Sequence, residues 1–240
     1  MIPLYVITLK QLLRQSNLWY INIFAIVCSE IAPAFSELYA FGMKEIAVIE
    51  AVKASVYLSI ILSAIFCVYK LMSKELNRNI AVNIFSKPIE IQTFIISKYL
   101  SMLTVIVILC IVQSLWLIKH AWYLNWSNAG IQSAYASLYG VLLQGACIIA
   151  FAMILAVSFN KFISLVALFS ILFLPYLVPS DLLIWVSFIL PALSWFDFSE
   201  MIYKNIRIDS TYLLYLTIYC VIYIITSIII AEKLLKRREF

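Results

Sequence analysis

Apolar residues run through this chain in blocks of roughly twenty, broken by short charged clusters, instead of alternating with polar ones at a period of two. Blocks of that length meet the ~17–25 residues that a helix needs to cross a bilayer. Their continuity excludes the short alternating segments of a transmembrane barrel, so helices are the spanning structure. Bounding each block by its flanking charges predicts six spans, at about 17–36, 46–72, 94–118, 132–159, 162–178 and 211–231, with Asn160-Lys161 as the whole turn between the fourth and fifth. Ahead of the first span, residues 1–16 set Tyr5, Val6, Leu9, Leu12 and Leu13 on one helical arc and Thr8, Lys10, Gln11, Arg14 and Gln15 on the other. That pattern predicts an amphipathic helix lying at the cytoplasmic interface. It lacks the leading charge and the small-residue cleavage site of a secretory signal.

Composition agrees with the pattern. Hydrophobic residues make up 65% of the chain and charged ones 12%, with a mean hydropathy of +1.03, far from the soluble average of about 45–50% apolar and about 25% charged. The expected fold class is an all-α integral membrane protein forming one transmembrane domain over residues 1–240. Placing both termini in the cytoplasm puts twelve of the 17 Lys and Arg inside and leaves five outside: Lys44, Lys53, Lys119, Lys204 and Arg207. The positive-inside rule therefore sets the orientation, and a bacterial cytoplasmic membrane is the expected location. The formal charge of +5 is spent on membrane flanks, so it gives no exposed basic face for nucleic acid.

Much chemistry is missing. Four glycines, Gly42, Gly130, Gly140 and Gly145, supply neither a phosphate-cradling loop nor a dinucleotide fingerprint. His120 is the sole histidine and is expected to be a solvated residue at the outer end of the third span. The five cysteines fall one per span with no CxxC spacing, which predicts neither a metal site nor a disulfide. No cofactor is expected in the chain itself, and no paired carboxylates, HExxH or nucleophile elbow suggests an enzyme.

The charged island between the second and third spans, a cytoplasmic loop at 73–93, is the most specific feature. Ile80, Ile84 and Phe85 recur at helical spacing, Asn79 and Asn83 occupy another face, and Pro88 ends the helix. Such a helix could fill a groove on a soluble partner or lie on the membrane surface. Glu75, the apolar helix, Ser86-Lys87-Pro88 and then Lys98-Tyr99-Leu100 together resemble the permease subunits of type-2 ATP-binding-cassette transporters. Asn79-Ile80 stand where that family has Gly-Thr. The resemblance implies that Glu75, Arg78, Asn79, Ile80, Ile84, Phe85, Lys87 and Pro88 form the coupling interface with a cytoplasmic ATPase. It also implies a second permease copy or sister permease, ATP and magnesium held by the ATPase, and export as the direction. The haem-exporter B type of permease and a non-transporting membrane scaffold remain the alternatives.

Two further features concern the outer side. Between the fifth and sixth spans, an outer segment at 179–210 carries Pro179, Asp181, Pro191 and Trp195 around an apolar stretch at 182–190, too short to cross. It is expected to re-enter the membrane or to lie on its outer surface. Its LPALSWFDF stretch resembles the Pro-aromatic outer segment of the same permeases, which implies that Asp181 and Trp195 flank the exit of a path. Glu30, the acidic residue inside the first span, is the other candidate for lining it, because an ionisable group at membrane depth is costly. In the fourth span, Ser133, Ser137, Gly140, Gln144 and Gly145 read as a helix-packing stripe.

Overall fold

A computed structural model describes residues 2–39, 50, 54–66, 90–123, 125, 128–159, 162–164, 166–168, 170, 193–198 and 208–237. Among them the secondary structure is helical, with no strand. The elements are α1 (Ile2–Leu13), α2 (Ser16–Tyr39), α3 (Ala54–Phe66), α4 (Ile91–Tyr123), α5 (Asn128–Ser158), a 3-10 turn (Leu193–Phe196) and α6 (Ser210–Lys236). Three of them, α4, α5 and α6, are long and apolar enough to cross a membrane. The described residues are nearly all helical, and three of their helices are those of a membrane protein.

The apolar blocks become helices because the hydrocarbon core offers backbone groups no partner except the helix itself. Polar residues fix the ends. The Asp209 carboxylate accepts from the Thr211 amide at 3.2 Å and from the Thr211 hydroxyl at 2.9 Å, an N-cap that starts α6. Lys233 and Lys236 in the last turn complement the negative end of the helix dipole, and Lys236 also pairs with Glu232 at 2.7 Å. Between α4 and α5, Asn125 takes a positive φ of 50°, a region that Asn tolerates better than most side chains. Between α1 and α2 the Trp19 indole donates to the Leu13 carbonyl at 2.9 Å, satisfying one of the last acceptors of α1.

α5 is the centre of the bundle. Within the most apolar stretch of each long helix, 83% is buried for α5, 44% for α4 and 17% for α6. Residues 143–153 of α5 are buried without interruption, so other elements surround that helix on every side. α6 packs on α5 through Leu216 and Cys220 and turns Leu214, Ile218, Ile222, Ile225 and Ile229 outward as an apolar face suited to lipid. α3 meets α5 where Gly145 lets Ile60 approach: a Cβ there would lie 2.5 Å from Ile60 Cγ2.

Helix directions follow from matched contacts. Tyr139 meets Thr217 at 2.9 Å, and further along both helices Cys147 meets Cys220 at 3.4 Å, so α5 and α6 run parallel. Leu18 and Trp19 of α2 share a small apolar cleft with Val105, Ile108 and Leu109 of α4. Twelve residues later in α2, Glu30 reaches Lys119 at 2.7 Å, so α2 and α4 are parallel as well.

α1 differs from its expected facing. The helix forms where the sequence places it, but Thr8, assigned to the polar arc, is 0% exposed, and Val6, assigned to the apolar arc, is exposed. Leu4, Tyr5, Thr8, Leu9, Leu12 and Leu13 are the buried or half-buried positions. α1 packs against α4, where Ser97, Ser101 and Thr104 return their hydroxyls to the carbonyls of their own helix at 2.6–2.7 Å. Thr8 is small enough to be enclosed at such a crossing, as small residues are where membrane helices meet. Tyr5 fixes the crossing, with its hydroxyl 2.9 Å from Thr104 Oγ1 and its carbonyl accepting from Ser101 at 3.2 Å.

Candidate functional site

The residues expected to meet an ATPase, Glu75, Arg78, Asn79, Ile80, Ile84, Phe85, Lys87 and Pro88, lie outside the described residues, as does Asp181. The described chain resumes at Glu90, and α4 follows at once. Its first turns are held tightly: Phe94, Ile95, Lys98 and Tyr99 are all buried. The Lys98 ammonium sits 5.5 Å from the centre of the Phe94 ring, and the Tyr99 hydroxyl donates to the Ala146 carbonyl of α5 at 3.4 Å. With α1 clasping Ser101 and Thr104, the start of α4 is tied to two other helices.

At the other end of α4, Glu30 meets its partners. Its carboxylate pairs with Lys119 at 2.7 Å, with both side chains about half exposed. His120 Nε2 is 3.6 Å from the same oxygen, beyond hydrogen-bond reach. The Lys119 ammonium also lies over Trp116, 4.1 Å from the ring centre, and the Trp116 and His120 rings meet edge to face at 6.3 Å. Sequence reasoning expected a solvated His120; the structure buries it to 5% exposure. About two turns deeper, Gln113 is 1% exposed. Glu30 was legible as a lone acidic residue in an apolar span; Gln113 and Trp116 were missed. Their signal was the recurrence of Gln113, Trp116 and His120 at three- and four-residue steps in an otherwise apolar run.

Trp195 belongs to a second cluster. It is 52% exposed, and its carbonyl accepts from the Tyr212 hydroxyl at 2.9 Å. Its ring lies 5.2 Å from Tyr219, while Phe196 and Phe198 are buried beneath it. Gly140 makes this seat: a Cβ there would fall 2.5 Å from Phe198 Cε2 and 2.8 Å from the Phe196 carbonyl oxygen. The segment 193–198 is therefore pressed onto the N-terminal halves of α5 and α6. The Asp209 carboxyl that starts α6 is held below its ordinary pKa, chiefly by the hydrogen bond from the Thr211 amide.

Glycines and polar residues of α5 divide between these neighbours. Gly140 faces the 193–198 segment, Gly145 faces α3, and Gln144 donates to the Tyr57 hydroxyl of α3 at 3.2 Å. Among the described residues no group of three or more His, Cys, Asp and Glu is placed to hold a metal ion. No known family model matches the chain, and no curated protein sequence matches it.

Proposed function

We propose that this chain is the membrane-spanning subunit of a type-2 ATP-binding-cassette exporter, with both termini in the cytoplasm of a bacterial inner membrane. The observation that carries the reading is the sequence at 75–100, a charged loop with Ser86-Lys87-Pro88 leading into Lys98-Tyr99, joined to a helix whose first turns are clamped by α1 and α5. A docking helix at 80–85 would pass the closure of an ATPase dimer to Glu90 and thence to three helices together. The energetic requirement is that the permease state favoured by the closed dimer binds it more tightly than the other state does.

Helix directions support the six-span topology. α5 and α6 run parallel, so a chain that crosses in both must recross between Ser158 and Ser210. α2 and α4 are parallel too, so if both cross, the chain recrosses between Tyr39 and Ile91, and α3 lies in that stretch. With one recrossing in each of those stretches, the proposed topology has six spans. Six spans are half of the usual transporter core, which calls for a second permease copy or a sister permease. Trp195 and Glu30 then lie on the outer side, beside the exit.

The test is purification of the tagged chain from its native membrane in mild detergent, with identification of its partners and an ATPase assay. Recovery of an ATPase that is lost in an Ile84→Asp, Phe85→Asp variant supports the reading. A stable membrane complex with no ATPase, unchanged by those substitutions, replaces it with the scaffold.

A further inference from the structure

The C-terminal half of α4 carries a polar face that coupling does not use. Gln113, Trp116 and His120 follow one another up the helix over about 10 Å, at ~1.5 Å per residue. On the opposite face Ile111, Leu115, Ile118 and Trp122 are exposed, an apolar stripe suited to lipid. The polar face therefore turns inward. There, both amide atoms of Gln113, Trp116 Nε1 and His120 Nε2 are buried with no hydrogen-bond partner among the described residues. Buried polar atoms are hydrogen-bonded in the great majority of cases, and four that are not, on one face of one membrane helix and with only the Glu30 carboxylate near one of them at 3.6 Å, call for a ligand.

The chemistry of that ligand follows from the atoms. The indole N–H and the amide NH2 need acceptors, while the amide oxygen needs a donor. Glu30 and Lys119 neutralise one another at the entrance, so the site offers no net charge to select an ion. A partner that both donates and accepts without carrying charge is water, a hydroxyl or an amide. We propose that the Gln113, Trp116 and His120 face of α4 lines a crevice that opens to water at the Glu30–Lys119 pair and admits uncharged hydrogen-bonding groups. The face is closed in the conformation described and is wetted in a second one, in which its unpaired atoms gain partners.

Two measurements test this. In membranes, Gln113→Cys is treated with a charged, impermeant methanethiosulfonate beside Ile111→Cys and Leu115→Cys as lipid-facing controls. The expected result is modification of Gln113→Cys at least about tenfold faster than either control, since labelling follows the population of the open state. A rate no faster than the controls overturns the proposal. The side from which the reagent acts reports the orientation of α4 separately. Should Gln113→Cys fail to fold, the native chain serves, because its single histidine makes deuterium exchange at the imidazole C2 position specific to His120. Exchange at no less than about a tenth of the rate in the denatured chain supports a water-filled face, and slower exchange overturns it. Neither measurement involves an ATPase, so the outcome is independent of the transporter reading.

Discussion

Gly140→Ala is the sharpest test of how the 193–198 segment is seated. The added methyl would lie 2.8 Å from a backbone oxygen and 2.5 Å from a buried ring carbon, short of the ~3.5 Å van der Waals optimum by about 0.7 and 1.0 Å. The backbone oxygen cannot rotate away, and Phe198 is buried, so the segment has to lift from α5. Overpacking of this kind costs about 3 kcal/mol at its upper end, and the better helix propensity of Ala offsets about 1 kcal/mol. The net loss of about 2 kcal/mol corresponds to roughly 4–8 °C in Tm, read by thermal denaturation in mild detergent. Gly145→Ala provides the contrast, because its first obstacle is the Ile60 Cγ2 methyl and its next contact is at 3.7 Å. Adding Ile60→Ala to Gly145→Ala should recover at least about 0.5 kcal/mol in a double-mutant cycle. A Gly140→Ala protein melting within about 1 °C of the parent would refute the reasoning, since no relaxation short of displacing the segment removes both overlaps.

Other outcomes can be stated as briefly. Tyr5→Phe and Thr104→Val should each destabilise the protein by about 1 kcal/mol and the pair by little more than either alone, as measured by a denaturation cycle; full additivity would mean that α1 does not rest on α4. Asp209→Ala should lower Tm near neutral pH and Asp209→Asn should lower it less. Because the folded pKa of Asp209 is depressed, its contribution is complete above the ordinary Asp pKa and is lost as the pH falls through the lower folded value. The melting difference between parent and Asp209→Ala should therefore close only under strongly acidic conditions. Cys147 and Cys220, with Sγ atoms 3.4 Å apart, should be joined by copper-phenanthroline oxidation, so that fragments cut between α5 and α6 remain together without reductant. Free migration of those fragments would show that the two helices are not packed as described.

Element existence was legible because a bilayer leaves the chain few choices. Helices α4, α5 and α6 begin and end within a few residues of the apolar blocks at 94–118, 132–159 and 211–231, and overrun them where the helix continues past the last apolar residue. Facing was less legible. Hydropathy put Thr8 on the polar arc of α1, but packing against α4 encloses it, and hydropathy alone carries no signal of which helix will cover a face. His120 was read as solvated from its place beside Lys119, although Lys119 turns to Glu30 and leaves the imidazole behind it. The pairing of Glu30 with Lys119 joins residues 89 positions apart and has no local signal. Gly140 read as helix packing, yet its neighbour is an aromatic turn from a distant segment rather than another span.

The contrast between α5 and α6 bears on biogenesis. A ribosome delivers α5 well before α6, so the most enclosed helix of the bundle enters the bilayer with part of its enclosure still unsynthesised. Until then its Leu143, Cys147 and Gly140 positions can rest against acyl chains, because they present apolar, weakly polar or merely small groups. Tyr139 has no such ease: its hydroxyl waits for Thr217, which arrives with the last helix. Nascent chains stalled before Ser210 should therefore be retained by the insertion machinery or recognised by membrane proteases, with exposed Tyr139 as the mark of an unfinished bundle.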